Sequence, residues 1–141
     1  MKTIIIEDEK PAAEKLQKAI LNNHPGEEVA GVLNSIEAAT LWLQHNPMPD
    51  LIFMDIELSD GLSFKIFEKV PITCPVIFTT AFDEYWQETF EHNSIDYLLK
   101  PIRQEKLDAA LGKYDKLKLY FAQNLQPLLA GNQQTGNSRY K

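Results

Sequence analysis

The chain alternates between two kinds of hydrophobic pattern. Short β-branched apolar runs lie near residues 3–7, 28–33, 51–55, 75–80 and 95–98. Each run is followed by a segment whose apolar positions recur with the period of a helix. This alternation predicts repeated βα units around a parallel sheet, and therefore an α/β fold.

Residues that typically start or stop helices indicate the ends of the predicted helices. Pro11 marks the opening turn of the first helix, and the stretch 22–26 contains the residues that stop it. Asn34 with Glu37 three positions later resembles a capping box and predicts the start of the second helix. The other helices are expected over residues 62–69, over residues 84–92 and from about residue 103 onward.

The last helix has one apolar face, and its pattern ends near residue 125. The face comprises Leu107, Leu111, Tyr114, Leu117 and Phe121. The stretch 131–138 is rich in Gly, Asn and Gln, a composition typical of a flexible linker. We therefore expect one domain over residues 1–122 and a linker over residues 123–141, leading to a further domain that this sequence lacks.

Composition narrows the classes of function. The net charge of −6 and the pI near 5.0 argue against direct binding to DNA or to an anionic membrane. The single Cys74 is typical of a reducing cytoplasm, and the first apolar run is too short for a signal peptide or a membrane span. We interpret His24, His45 and His92 as solvated surface residues.

Polar groups follow four of the predicted strands at their carboxyl ends, where open α/β sheets build ligand sites. Glu7 and Asp8 follow the first strand, and Asp55 ends the third. Three carboxylates at one point repel each other, and a hard cation such as Mg²⁺ relieves that repulsion. Thr80 and Lys100 add a hydroxyl group and an ammonium group. The combination is suited to metal-assisted phosphoryl transfer to an aspartate.

Each of these residues also has a purely structural interpretation. Acidic residues are common at strand ends, a β-branched strand residue such as Thr80 is more often a core residue than a functional one, and most lysines are solvated. The functional interpretation rests on their combination. Since an X-Pro bond adopts the cis form at low cost, we predict a cis Lys100-Pro101 bond that turns the ammonium group inward.

Four segments resemble the signatures of the response-regulator receiver domain. They are the stretches 6–9, 51–56, 77–81 and 97–101. The sequences of the stretches 78–85 and 95–101 are most similar to those of receivers that precede a LytTR-type DNA-binding domain. The resemblance covers about residues 1–120 and implies a flavodoxin-like fold, a doubly wound five-stranded parallel sheet in the order 2-1-3-4-5.

The resemblance also implies a function in two-component signalling. A partner histidine kinase would phosphorylate Asp55 in the cytoplasm, and the missing C-terminal domain would bind DNA and regulate transcription. Mg²⁺ would be held by Asp8, Asp55 and the backbone carbonyl of Glu57. Glu7 would act mainly through a metal-bound water.

The same resemblance assigns the switch. Thr80 and Lys100 would bind the phosphoryl group, and Tyr97 would be the aromatic switch residue on the fifth strand. We further expect phosphorylation to favour a homodimer through the fourth helix, the fifth strand and the last helix. Three apolar residues late on that helix motivate this hypothesis: Leu117, Leu119 and Phe121. The alternative is that they cap the domain's own core.

Two features depart from the usual receiver pattern. Glu7 stands where Asp is commoner, so its carboxylate reaches further toward the metal. The loop 56–62 is shorter than usual and lacks the customary proline. In this family the positions of Glu57 and Phe82, each two residues past a site residue, tune the lifetime of the phosphoryl group.

The favoured function is a signalling switch that is no metabolic enzyme, and two other functions are alternatives to it. A hydrolase of the haloacid-dehalogenase type would need a second aspartate two residues after its nucleophile on the first strand, and Lys10 stands at that spacing from Asp8. A pseudo-receiver would bind partners without phosphorylation. The intact set of Asp8, Asp55, Thr80 and Lys100 argues against it.

Overall fold

The computed structural model describes residues 1–89 and 91–131, with side chains described only as far as residue 120. The strands are β1 (Lys2–Ile6), β2 (Glu28–Leu33), β3 (Leu51–Asp55), β4 (Glu57–Leu58), β5 (Gly61–Leu62), β6 (Val76–Thr80) and β7 (Ser94–Leu99). The helices are α1 (Lys10–Asn23), α2 (Ile36–His45), α3 (Lys65–Lys69), α4 (Trp86–Thr89) and α5 (Gln104–Gly131). A 3-10 turn, Asp83–Tyr85, leads directly into α4.

Five of the strands form one parallel sheet in the order β2-β1-β3-β6-β7. Counted along the sheet strands alone this is 2-1-3-4-5, so the predicted doubly wound, flavodoxin-like fold is confirmed. The strand order reverses between β1 and β3, and ligands bind at the carboxyl ends of strands at such a point. Ile6 pairs with Met54 there, which places the next residues of the two strands side by side.

The sheet separates two apolar clusters. On one face Ile4 and Ile6 pack with residues of α2 and α3, and on the other Ile5 packs with residues of α1 and α5. Strands buried on both faces explain the continuous apolar runs of the sequence. The predicted face of α5 is buried at Leu107, Leu111 and Tyr114. No helix in the described part of the chain is long and apolar enough to span a membrane.

The second helix is capped differently from the prediction. Ser35, not Asn34, is the N-cap, and its hydroxyl group accepts a hydrogen bond from the N–H of Ala38 at 3.0 Å. The carboxylate of Asp60 accepts two more, from the N–H groups of Ile36 at 2.9 Å and Glu37 at 3.2 Å. The capping-box pattern located the helix, and a distant loop supplies part of the cap.

The third and fourth helices are shorter than predicted. Residues 57–62 form the antiparallel pair of β4 and β5, so α3 begins at Lys65 instead of Leu62. The φ angle of Gly61 is +135°, which favours glycine at that turn. Among the described residues of the stretch predicted as a helix over 84–92, Glu84 and Tyr85 belong to the 3-10 turn and Trp86–Thr89 form α4.

The last helix extends further than predicted. The backbone of α5 is helical to Gly131, past the expected boundary at residue 122. Residues 132–141 of the predicted linker lie outside the described residues. The division into a domain and a linker therefore stays a prediction.

The three histidines differ in their surroundings. His45 is exposed, as predicted. His24 is half-buried and lies 3.0 Å from the carboxylate of Asp108. His92 is also half-buried and stacks on the ring of Phe67, with ring centroids 4.0 Å apart. The prediction of solvated residues was therefore wrong for His24 and His92, because side chains remote in the sequence cover them.

Candidate functional site

Three carboxylates meet where β1 and β3 end. Glu7 and Asp55 follow the paired residues of the two strands, and both side chains are almost fully buried. One oxygen each from Glu7, Asp8 and Asp55 forms a group whose members all lie within 4.8 Å of one another. The structure thus brings together the trio that the sequence predicted.

Lys100 extends its ammonium group into this cluster. Its Nζ atom lies 2.6 Å from Oε1 of Glu7 and 2.9 Å from Oδ2 of Asp55. Burial by itself would lower the pKa of Lys100, but the hydrogen bonds to these two carboxylates outweigh burial and raise it above its ordinary value. The Lys100-Pro101 bond is cis, as predicted.

The cluster retains excess negative charge despite Lys100. Burial, together with the neighbouring Glu7, raises the pKa of Asp8 above its ordinary value. Both oxygens of Glu7 have partners, since Oε2 accepts from the N–H of Glu9 at 3.1 Å while Oε1 binds Lys100. Carboxylate oxygens in this arrangement are the donors that Mg²⁺ prefers, and an added cation would relieve the repulsion at Asp8. The donor set therefore fits the expected ion.

Thr80 lies at the carboxyl end of β6, one residue beyond the pair formed by Asp55 and Thr79. Its side chain is fully buried, and its hydroxyl oxygen accepts a hydrogen bond from the N–H of Phe82 at 3.1 Å. The hydroxyl proton is still available for donation. The backbone oxygen of Thr80 accepts from the N–H of Lys100 at 2.7 Å, which joins the ends of β6 and β7.

Tyr97 contacts the loop that follows Thr80. Its side chain is half-buried on β7, and its hydroxyl group donates to the backbone oxygen of Phe82 at 2.7 Å. Burial raises the pKa of Tyr97 above its ordinary value. The residue predicted as the aromatic switch and Thr80 are thus both hydrogen-bonded to Phe82.

Tyr85 is a residue of this region that the sequence did not reveal. Its hydroxyl group donates to Oε2 of Glu57 at 2.8 Å, and that hydrogen bond is the main reason why the pKa of Tyr85 rises to about 12. The N–H of Glu57 in turn donates to Oδ1 of Asp55 at 3.2 Å. No spacing rule joins positions so far apart in the sequence, so only the fold could show this contact.

Sequence comparisons point to one family. The model of the response regulator receiver domain matches residues 3–112. The sensory transduction protein LytT of Bacillus anthracis is 35% identical over 121 residues, which cover 84% of this chain and 48% of that protein. The transcriptional regulatory protein BtsR of Salmonella typhi is 33% identical over 148 residues, covering 99% and 60%. The chain spans about half the length of the LytT relatives it matches.

Solved structures give the same result. The response regulatory domain of protein mrkE from Klebsiella pneumoniae has a TM-score of 0.72 and 30% identity, covering 88% of this chain and 100% of that chain. A two-component response regulator from Clostridium difficile has a TM-score of 0.68 and 30% identity, covering 82% and 96%. Sequence similarity and fold similarity therefore agree.

Proposed function

The chain belongs to the response regulator receiver family, and we propose that it switches by accepting a phosphoryl group on Asp55 from a histidine kinase. The observation that carries this proposal is the position of Lys100, whose ammonium group bridges the buried carboxylates of Glu7 and Asp55. A lysine in this place neutralises the negative charge of the carboxylates. Its ammonium group can also move its hydrogen bond to an incoming phosphoryl oxygen. A cluster with only a structural purpose would not need three carboxylates around one cation.

The chain's own residues have separate tasks in this reaction. An Asp55 oxygen attacks phosphorus, and the bond to the kinase histidine breaks with its electron pair on the imidazole nitrogen. Lys100 donates to a phosphoryl oxygen in place of its present contact with Asp55, and Thr80 donates its hydroxyl proton to another. Hydrogen-bond donors that already lie at the site thereby stabilise the negative charge that develops on the phosphoryl oxygens.

Receiver domains bind Mg²⁺ at an acidic pocket, and this chain has such a pocket. We propose that Asp8, Asp55 and the backbone carbonyl of Glu57 would hold the ion, with Glu7 acting through a water molecule. The bound ion would supply positive charge next to the phosphoryl oxygens. The occupied oxygens of Glu7 support its indirect role.

The loop after Thr80 connects the phosphorylation site to the surface that would transmit the signal. Movement of the Thr80 hydroxyl group toward a phosphoryl oxygen would break its contact with the N–H of Phe82, whose carbonyl is held by Tyr97. We propose that this rearrangement changes the face formed by α4, β7 and α5, and that this face transmits the signal. Trp86 and Leu99 are about half exposed there, and they support a phosphorylation-dependent homodimer through this face.

The relatives suggest what the switch controls. LytT is named as a sensory transduction protein and BtsR as a transcriptional regulator, and both extend well beyond the matched segment. We propose that this domain works in the cytoplasm and precedes a LytTR-type DNA-binding domain on a linker within residues 123–141. With a net charge of −6, the domain would contact DNA only through that second domain.

A phosphate-trapping experiment tests the proposal. The protein is incubated with acetyl phosphate and Mg²⁺, and intact mass spectrometry records the gain of one phosphoryl group. Asp55→Asn should abolish the gain, whereas Asp115→Asn, a change on the exposed side of α5, should retain it. No uptake by the wild type would favour the pseudo-receiver, and sustained turnover of an organic phosphate would favour a hydrolase.

A further inference from the structure

Glu57 is attached to two parts of the molecule at once. Its backbone N–H donates to Oδ1 of Asp55 at 3.2 Å, and its Oε2 accepts from the hydroxyl group of Tyr85 at 2.8 Å. One end of the residue therefore lies beside the proposed phosphoacceptor. The other end is fixed to the 3-10 turn that precedes α4.

Packing sets the direction of the Tyr85 hydroxyl group. The ring is half-buried against the apolar cluster beneath α3 and forms a T-shaped pair with Phe64 at a centroid distance of 6.5 Å. The turn is also held by Tyr97, which donates to the backbone oxygen of Phe82. A hydrogen bond from a positioned hydroxyl group to a carboxylate is charge-assisted and stronger than a neutral one. Tyr85 therefore restrains where the Glu57 carboxylate lies.

That carboxylate matters for the loss of the phosphoryl group. In hydrolysis a water oxygen bonds to phosphorus while the bond from phosphorus to the Asp55 oxygen breaks, leaving its electron pair on the Asp55 carboxylate. The proton of the attacking water passes to a nearby base and then to solvent. A carboxylate two residues from Asp55 is the kind of group that orients this water and accepts its proton.

We propose that Tyr85 is a positioning residue that lengthens the lifetime of the phosphoryl group by drawing the Glu57 carboxylate toward the turn and away from the attacking water. This inference rests on the proposed function, since it requires a phosphorylated Asp55. It assigns to Tyr85 the control of the side chain at position 57, the position that the family resemblance links to the lifetime of the phosphoryl group.

Decay of the phosphorylated protein tests the inference. The full chain is labelled with acetyl phosphate and Mg²⁺, the donor is removed, and the phosphorylated fraction is followed by intact mass. Tyr85→Phe keeps the ring but removes the donor, and decay should become about two- to tenfold faster, the factor expected for one such hydrogen bond. Glu84→Gln changes a charge in the same turn without removing that donor, and it should decay at the wild-type rate.

A double variant separates positioning from a general structural effect. Glu57→Ala should decay no faster than the wild type, and Tyr85→Phe added to Glu57→Ala should cause no further change. An acceleration that persists without Glu57 would overturn the inference. So would decay of Tyr85→Phe at the wild-type rate or slower. If the wild type takes up no phosphoryl group at all, the proposed function falls, and this inference with it.

Discussion

The strands that hold the carboxylates and the strand that carries Tyr97 differ in burial. Every residue of β3 is buried, and in β1 only Lys2 is exposed. In β7, at the edge of the sheet, Leu98 alone is buried and Leu99 is 46% exposed. The adjoining α4 has four residues, whereas α1 has 14.

The difference in burial matches two separate tasks, holding the charged site in place and changing arrangement when the protein switches. Charged groups must be held in fixed positions against their mutual repulsion, and deeply buried strands supply that rigidity. An element that changes its arrangement is drawn from the less stable part of a structure, where little apolar surface must be disrupted. The site therefore lies on the central strands, and the face that we expect to respond lies at the edge.

Truncating an isoleucine in each region should show the largest contrast. Ile5 of β1 is fully buried, while Ile95 of β7 is only partly buried. We expect Ile5→Ala to lower the free energy of unfolding by about 3–4 kcal/mol and Ile95→Ala by about 1 kcal/mol, because the loss grows with the cavity created. Urea denaturation of both variants measures this, and equal losses would contradict the difference between the regions.

Removing one lysine from each region should have a smaller effect. Lys100→Met leaves the carboxylates of Glu7 and Asp55 buried without their cation, and we expect a loss of about 2 kcal/mol. Lys113→Met is the matched control, since Lys113 is itself exposed and its pair with Asp96 at 3.2 Å should contribute less than about 0.5 kcal/mol. Added Mg²⁺ should stabilise Lys100→Met more than Lys113→Met, because the first variant leaves more uncompensated negative charge at the acidic site. Similar losses in both variants would show that the cluster does not depend on its ammonium group.

The sequence predicted the central site better than the edge. Each of four site residues follows an apolar run: Glu7, Asp55, Thr80 and Lys100. The geometry of parallel strands is enough to bring such residues together. The short α4 and the β4–β5 pair could not be predicted in this way. Segments of a few residues are too short to show a period, and contacts with neighbouring elements decide their structure.

Contacts between remote residues were also missed for a physical reason. The bond from Tyr85 to Glu57 and the stacking of His92 on Phe67 depend on how the loops cross the end of the sheet. Neither leaves a pattern in the sequence, because the partners of each contact are remote along the chain and no spacing rule joins them. The cis bond before Pro101 was predictable only because the ammonium group had to reach an acidic cluster that was already inferred.

Metal binding should distinguish the two acidic residues that follow β1. Asp8→Ala should weaken Mg²⁺ affinity by about tenfold or more, because we place its carboxylate directly on the ion. Glu7→Ala should have a smaller effect, since both Glu7 oxygens already bind other groups. Titration with Mg²⁺ followed by tryptophan fluorescence gives both affinities. The reverse order would make Glu7 the direct ligand.

Dimerisation tests the edge of the sheet directly. With beryllofluoride and Mg²⁺, sedimentation should shift from monomer to dimer at micromolar concentration. Leu99→Ser should weaken the dimer by about fivefold, which corresponds to the burial of roughly half a leucine side chain. Leu41→Ser on α2 removes a leucine of similar exposure from outside that face and should leave the dimer unchanged. A wild type that stays monomeric in both states would leave release of an inhibitory contact with the output domain as the mechanism.

The smallest expected effect concerns pH and the ring of His92. Burial against Phe64 and Phe67 lowers the pKa of His92 below its ordinary value of 6.5, so the folded protein binds this proton less readily than the unfolded chain. The contribution to stability is therefore complete above pH 6.5 and is lost as the pH falls below that value. Between pH 7.5 and 5.5, values chosen about one unit either side of 6.5, the melting temperature should fall less in His92→Phe than in the wild type. His45→Gln, at an exposed position, should follow the wild type, and a wild-type slope in His92→Phe would show that other groups cause the pH dependence.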